Sequence, residues 1–115
     1  MSTKITENFS KEEFACKCGC GFMEINPAIV QRLQVIRDVV GLPIDIISGC
    51  RCKKHNEECG GEEKSQHLLG NAIDFTIEGY DMSHLAALIT KWSGGFHFYP
   101  AKNFIHVDVG MKRRW

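Results

Sequence analysis

Two short runs of strict alternation constrain this chain more than anything else in it. Ile73, Phe75 and Ile77 alternate with Asp74 and Thr76, and Ile105, Val107 and Val109 alternate with His106 and Asp108. A period of two marks a strand with one apolar and one polar face, so each run predicts a strand of a sheet. Asp74 and His106 then lie on polar faces. If the strands pair with those faces matched, a carboxylate and an imidazole converge on the sheet surface. His67 stands just upstream of the first run, and Gly70 permits the turn that brings it over. Two imidazoles and a carboxylate are the donor set of a catalytic zinc site with one open position.

The remaining patterns read as scaffold. Ser10-Lys11-Glu12-Glu13 is a capping-box start to a short helical turn, and Asn26-Pro27 supplies an N-cap and a first-position proline for a helix to about Val40, ended by Gly41. In that helix Ile29, Leu33, Ile36 and Val40 recur at steps of three and four, which predicts a core face, with Arg32, Gln34 and Asp38 pointing outward. After Pro43, Ile44 and Ile46 alternate as a strand that delivers Ser48 to Arg51. A second helix from about Asp81 to Trp92 is expected to bury Leu85, Leu88 and Trp92, and Gly94-Gly95 opens a hairpin ending at Val109. At 115 residues and 43% hydrophobic, the chain can build one core, so residues 1–115 are expected to form a single domain.

Charge and hydropathy exclude several classes. Lys plus Arg and Asp plus Glu both number 14, so there is no broad positive field of the kind nucleic-acid binding draws on. No stretch approaches the roughly 20 apolar residues of a membrane-spanning helix. The tail Lys112-Arg113-Arg114 is a short basic exception, read as a solvated terminus, with contact to an anionic wall polymer as the alternative. Met1 to Glu7 is polar, without the apolar core of an export signal, which predicts synthesis in the cytoplasm.

Six cysteines, Cys16, Cys18, Cys20, Cys50, Cys52 and Cys59, accompany this unmarked start. That combination favours thiols or a metal over structural disulfides. In an extended Cys-x-Cys segment both side chains share a face, so Cys16, Cys18 and Cys20 could approach Cys50 and Cys52 and hold a second, closed zinc site. The competing reading is a group of reduced thiols pinning the amino-terminal segment against the Arg51 loop, or a disulfide formed in an oxidising setting.

The pattern Ser-x-His-x-x-Gly-x-Ala-x-Asp at Ser65 to Asp74, with His-x-Asp at His106 to Asp108, resembles the M15 family of zinc D-Ala-D-Ala carboxypeptidases and related peptidoglycan endopeptidases. Ser48-Gly49-Cys50-Arg51 and His55-Asn56 resemble the segment before that family's metal motif. Gly94-Gly95 to Tyr99-Pro100 and Arg113-Arg114-Trp115 resemble its short, often phage-borne members. The likeness runs from about Phe9 to Trp115.

The resemblance implies a small α+β domain of the hedgehog/DD-peptidase kind, its antiparallel sheet carrying the zinc site between flanking helices. It implies zinc-dependent hydrolysis of a peptide bond in the peptidoglycan stem or cross-link by a monomer acting on the cell wall, delivered by a phage or prophage route. Metal ligands would be His67, Asp74 and His106. Arg51, whose fork suits a terminal carboxylate, would anchor substrate, with Ser65 and Gln66 adding hydrogen bonds. One expected part is missing: the family places an acidic or histidine residue shortly before the second metal histidine, and here that stretch is Ala101-Lys102-Asn103-Phe104. Asp108 and His97 are the candidates to move the proton, and Asp108 could instead orient His106. His55 and His84 read as ordinary polar residues. The gap keeps alive a zinc-containing module that binds peptidoglycan without cutting it. A Cys/His nucleophilic hydrolase suits the cysteine count but not the cysteines' close spacing.

Overall fold

A computed structural model describes residues 4–61, 65–89, 92–110 and 113–114. The order of elements explains how the alternating runs meet. A 3-10 turn, Lys11–Phe14, precedes helix α1, Pro27–Val40. Strand β1, Asp45–Ser48, leads to helix α2, Lys53–Glu58, and a second 3-10 turn, Gln66–Leu69. Strand β2, Ala72–Thr76, helix α3, Met82–Leu88, and strands β3, Gly95–Tyr99, β4, Phe104–Asp108, and β5, Arg113–Arg114, complete the chain. The sheet order is β1-β2-β4-β3-β5. It is antiparallel as expected up to the edge, where β5 pairs parallel with β3. This is an α+β fold. Lys112 and Trp115 of the basic tail, and residues 62–64, lie outside the described residues.

Local signals end the elements where the sequence marks them. Ser10 N–H donates to the Glu13 carboxylate at 2.7 Å, closing the capping box. Asn26 caps α1 by accepting from Ala28 N–H, Pro27 takes the first position, and Gly41 stops the helix with φ 77°. Ile29, Val30, Leu33 and Ile36 are buried, while Val40 is only partly so. Gln34 does not point into solvent. Its amide accepts from Thr6 Oγ1 at 2.7 Å and Asn8 N–H at 2.9 Å, tying the amino-terminal segment to α1. Leu85 and Trp92 are buried, but α3 ends at Leu88, which is 61% exposed because the helix turns that side outward before Trp92 returns.

The sheet has one apolar face and one polar face, set by register. Ile73 pairs with Val107 and Phe75 with Ile105 between β2 and β4, and Phe96 and Phe98 continue those rows into β3. With the α1 side chains these form one buried cluster, each large member contributing about 1.5–3 kcal/mol of transfer free energy. On the other face, Ser48, Asp74, His106 and His97 stand in a row across four strands, each paired with the next. Ser48 joins that row through an irregularity. The register of β1 slips between Ile46, which pairs with Phe75, and Ser48, which pairs with Asp74, so the chain changes faces there. Among the described residues, no helix is long and apolar enough to cross a membrane.

Candidate metal centre

His67 reaches the polar row from the turn Gln66–Leu69. Ser65 Oγ caps that turn by accepting His67 N–H at 3.2 Å, and Gly70 ends it with φ 69°. A Cβ at Gly70 would stand 2.1 Å from the Glu24 carbonyl oxygen, so the segment that delivers His67 requires glycine. The His67 ring is 2% exposed. Its Nδ1–H donates to the Gly49 carbonyl at 2.6 Å, which leaves Nε2 facing Asp74 Oδ1 at 3.4 Å.

His106 is oriented from both sides. Nδ1 lies 2.7 Å from Asp74 Oδ1, and Nε2 lies 2.8 Å from Asp108 Oδ2. Asp108 is fully buried, and its other oxygen accepts from Gly95 N–H at 2.8 Å and Gly110 N–H at 3.0 Å. Trp92 Nε1–H donates to the Asp108 carbonyl at 2.7 Å. The chain passes so close here that a Cβ at Gly94 would meet that carbonyl at 1.8 Å, which explains the first glycine of the Gly94-Gly95 pair.

One ligand atom from each of His67, Asp74 and His106 falls within 4.8 Å of the others, and all three residues are buried. A tetrahedral ion bound at about 2.0–2.2 Å to nitrogen and oxygen wants donors about 3.3 Å apart, so this set fits zinc. Arg51 closes one side. Its Nε donates to Ser48 Oγ at 3.0 Å, Nη1 to Asn56 Oδ1 at 3.4 Å and Nη2 to Asp74 Oδ2 at 3.4 Å.

These groups border a cleft of about 420 Å³, whose wall includes Arg51, Ser65, Gln66, Tyr99 and the three candidate ligands. His97 is directly opposite His106 on β3, but its ring packs against Tyr99 with centroids 4.4 Å apart, beside the cleft rather than in its wall. Two contributors were not anticipated. Tyr99 follows His97 by two on the same strand, so the alternation of β3 carried its signal. Asn56, 2% exposed, stood in the sequence only as part of the family-like segment and without a role, because only the fold brings α2 to Arg51.

The electrostatics predict a pH dependence. Burial alone would push His106 down, but hydrogen bonds to Asp108 and Asp74 hold its pKa above the ordinary histidine value. Burial likewise opposes ionisation of Asp74, and the two histidines overcome it, holding that carboxyl well below the usual range; Asp108 is lowered in the same way by His106 and two backbone amides. A raised histidine contributes stability that is whole below about pH 6.5 and is lost as pH rises through its folded value. The lowered carboxyls contribute above about pH 4 and lose it as pH falls through theirs. Metal-free protein is therefore expected to melt highest between these limits and progressively lower above about pH 6.5. Melting curves in chelator across pH check this, and a flat melting temperature from mildly acidic to alkaline pH would contradict it.

The cysteine expectation is met only in part. Cys50 is 1% exposed within the apolar cluster, its thiol pushed up to about 11 mainly by burial. The segment is not extended at this point: β1 ends at Ser48 and Cys52 already caps α2, so Cys50 and Cys52 part company. Cys16, Cys18, Cys20 and Cys52 do meet.

An α+β fold with a histidine–aspartate–histidine donor set on the polar sheet face and an arginine at its edge makes a candidate metal centre. The chain belongs to the Peptidase M15 family, whose model matches residues 7–108. It is 35% identical over 99 residues to the Peptidoglycan L,D-endopeptidase MepK of Escherichia coli K12, a match covering 79% of this chain and 54% of the relative. It is 33% identical over 101 residues to the Probable peptidoglycan L,D-endopeptidase MepK of Haemophilus influenzae, covering 80% and 54%. The chain thus spans about half the length of the curated relatives it matches.

Proposed function

We propose that this chain hydrolyses a peptide bond in the peptidoglycan stem or cross-link, using a zinc ion held by His67, Asp74 and His106. The convergence of those three donors in one cleft beside Arg51 carries the reading. Zinc supplies Lewis acidity toward a peptide carbonyl and acidifies water to a pKa near about 7. The protein's residues do the rest. Gly49 and Asp108 hold the two imidazoles in the tautomers that present Nε2 of His67 and Nδ1 of His106. Arg51, already bonded to Ser48, Asn56 and Asp74, presents its fork to a substrate carboxylate. Gln66 and Ser65 border the same cleft.

Asp108 is better suited to orienting His106 than to carrying protons, because it is fully buried and both of its oxygens accept hydrogen bonds. His97 is the remaining candidate to carry the proton: it stands opposite His106 on β3 with its ring on Tyr99 beside the cleft, and burial, with His106 nearby, lowers its pKa. The names of the relatives support endopeptidase over D-Ala-D-Ala carboxypeptidase action and the cell wall as its place. The absence of an acid or histidine among residues 101–104 supports the alternative, a wall-binding module without hydrolysis.

Incubation with purified peptidoglycan fragments and mass spectrometry of the products tests all three readings. Two peptide fragments, lost with chelator and restored by zinc, are expected. Loss of one terminal alanine would indicate a carboxypeptidase, and binding without any product under zinc would overturn hydrolysis.

A further inference from the structure

We propose that Cys16, Cys18, Cys20 and Cys52 form a second, closed zinc site that staples the amino-terminal segment to the base of the Arg51 loop. Their sulfurs all lie within 4.8 Å of one another, with Cys16 and Cys18 at 3.4 Å and Cys18 and Cys52 at 3.6 Å. Four thiolates bound to zinc at about 2.3 Å stand about 3.8 Å apart, so the cluster already has nearly the size of the site. A disulfide, at about 2.05 Å, would use two of the four and leave the others without a purpose.

The sequence builds this cluster by turning, not by extension. Gly19 N–H donates to the Cys16 carbonyl at 3.1 Å, and Cys16 N–H to the Phe22 carbonyl at 2.8 Å, so the segment closes on itself. Gly19 and Gly21 take φ of 81° and 90°, the left-handed region where glycine is at home. Three thiols at every second position are thereby gathered to one point. Cys52 arrives from the other side as the N-cap of α2.

Backbone amides are aimed at the sulfurs. Cys52 N–H donates to Cys16 Sγ and His55 N–H to Cys52 Sγ, both at 3.4 Å, the kind of outer hydrogen bond that orients metal-bound sulfur. Four sulfur donors fill a tetrahedral ion and leave no open position, which marks a structural site rather than a catalytic one. Binding changes no oxidation state: each thiol gives its proton to solvent, and zinc takes the four thiolates. The other two cysteines stand apart, Cys50 in the core and Cys59 3.5 Å from His55 Nε2. Arg51 therefore sits between a core-anchored Cys50 and a metal-anchored Cys52, and the ion would fix the backbone from which its guanidinium reaches the cleft.

Metal content, thiol titration and cobalt spectroscopy on the whole chain test this without reference to activity. Wild type is expected to bind two zinc ions, to leave only Cys59 reactive until chelator frees the four cluster thiols, with Cys50 shielded by the core throughout, and to show thiolate-to-cobalt charge-transfer absorption after cobalt exchange. His67→Ala should keep that absorption while losing one ion. The double variant Cys18→Ser, Cys20→Ser should lose the absorption and one ion, and Cys59→Ser should lose neither. One zinc per chain with the four cluster thiols reactive before chelator is added, cobalt absorption in wild type without thiolate character, or a disulfide within the cluster of freshly purified protein would each overturn the site. Retained cobalt–thiolate absorption in a protein that cuts no peptidoglycan would leave it standing while removing the peptidase reading.

Discussion

Replacing His67 with alanine is expected to lower kcat/KM for peptidoglycan-fragment hydrolysis by roughly a thousandfold or more. The magnitude follows from what the proposed ligand would support. Metal polarisation of a carbonyl is worth several kcal/mol, and each 1.36 kcal/mol is a factor of ten. The fold should survive. His67 contributes its carbonyl to Arg51 N–H at 3.0 Å through the backbone, and the capped turn around it depends on Ser65 and Gly70 rather than on the ring. Zinc content and a melting curve on the same preparation separate loss of metal from loss of structure. A folded variant that cleaves within tenfold of wild type would remove His67 from the site and the metallopeptidase reading with it.

Asp108→Asn is expected to cost about a hundredfold or more in activity, although its side chain is nearly the same size. The argument is one of tautomers. The carboxylate accepts the proton of His106 Nε2 and so leaves Nδ1, beside Asp74, with a lone pair for metal. An asparagine can still accept from Gly95 and Gly110 with its oxygen, which turns its amide N–H toward Nε2. Nε2 must then accept, and the proton moves to Nδ1, where it blocks the metal. Changes to such outer partners commonly cost 10–100-fold, and a forced tautomer costs more. Zinc affinity should fall together with kcat/KM. A variant with wild-type zinc affinity but no activity would instead make Asp108 the proton carrier.

Strand and helix identity were legible because they rest on local periodicity. The alternations around Asp74 and His106, the Asn26-Pro27 start of α1 and its glycine stop all appear where the side-chain pattern predicts them. Leu88 and Cys50 were misplaced for a common reason. Each lies where a regular element ends, and extending its periodicity by a few residues assigns the wrong side of the chain. Gln34 carried a polar side chain that reads as solvent-facing until the amino-terminal segment is seen to fold across it.

By itself the sequence determined the residue types of the candidate site, the strands that carry two of them and the family to which the chain belongs, since alternation and short motifs are properties of neighbouring residues. Only the tertiary structure decided the rest. Register brought Ser48, Asp74, His106 and His97 into one row, a slip in β1 put Ser48 on that face, and chain crossings at Gly70 and Gly94 set where His67 and Asp108 point. It also removed Cys50 from the thiol cluster and kept Cys52 in it. These are contacts between residues far apart in the chain, and which of them form depends on how the whole core packs, a quantity no short window of sequence contains.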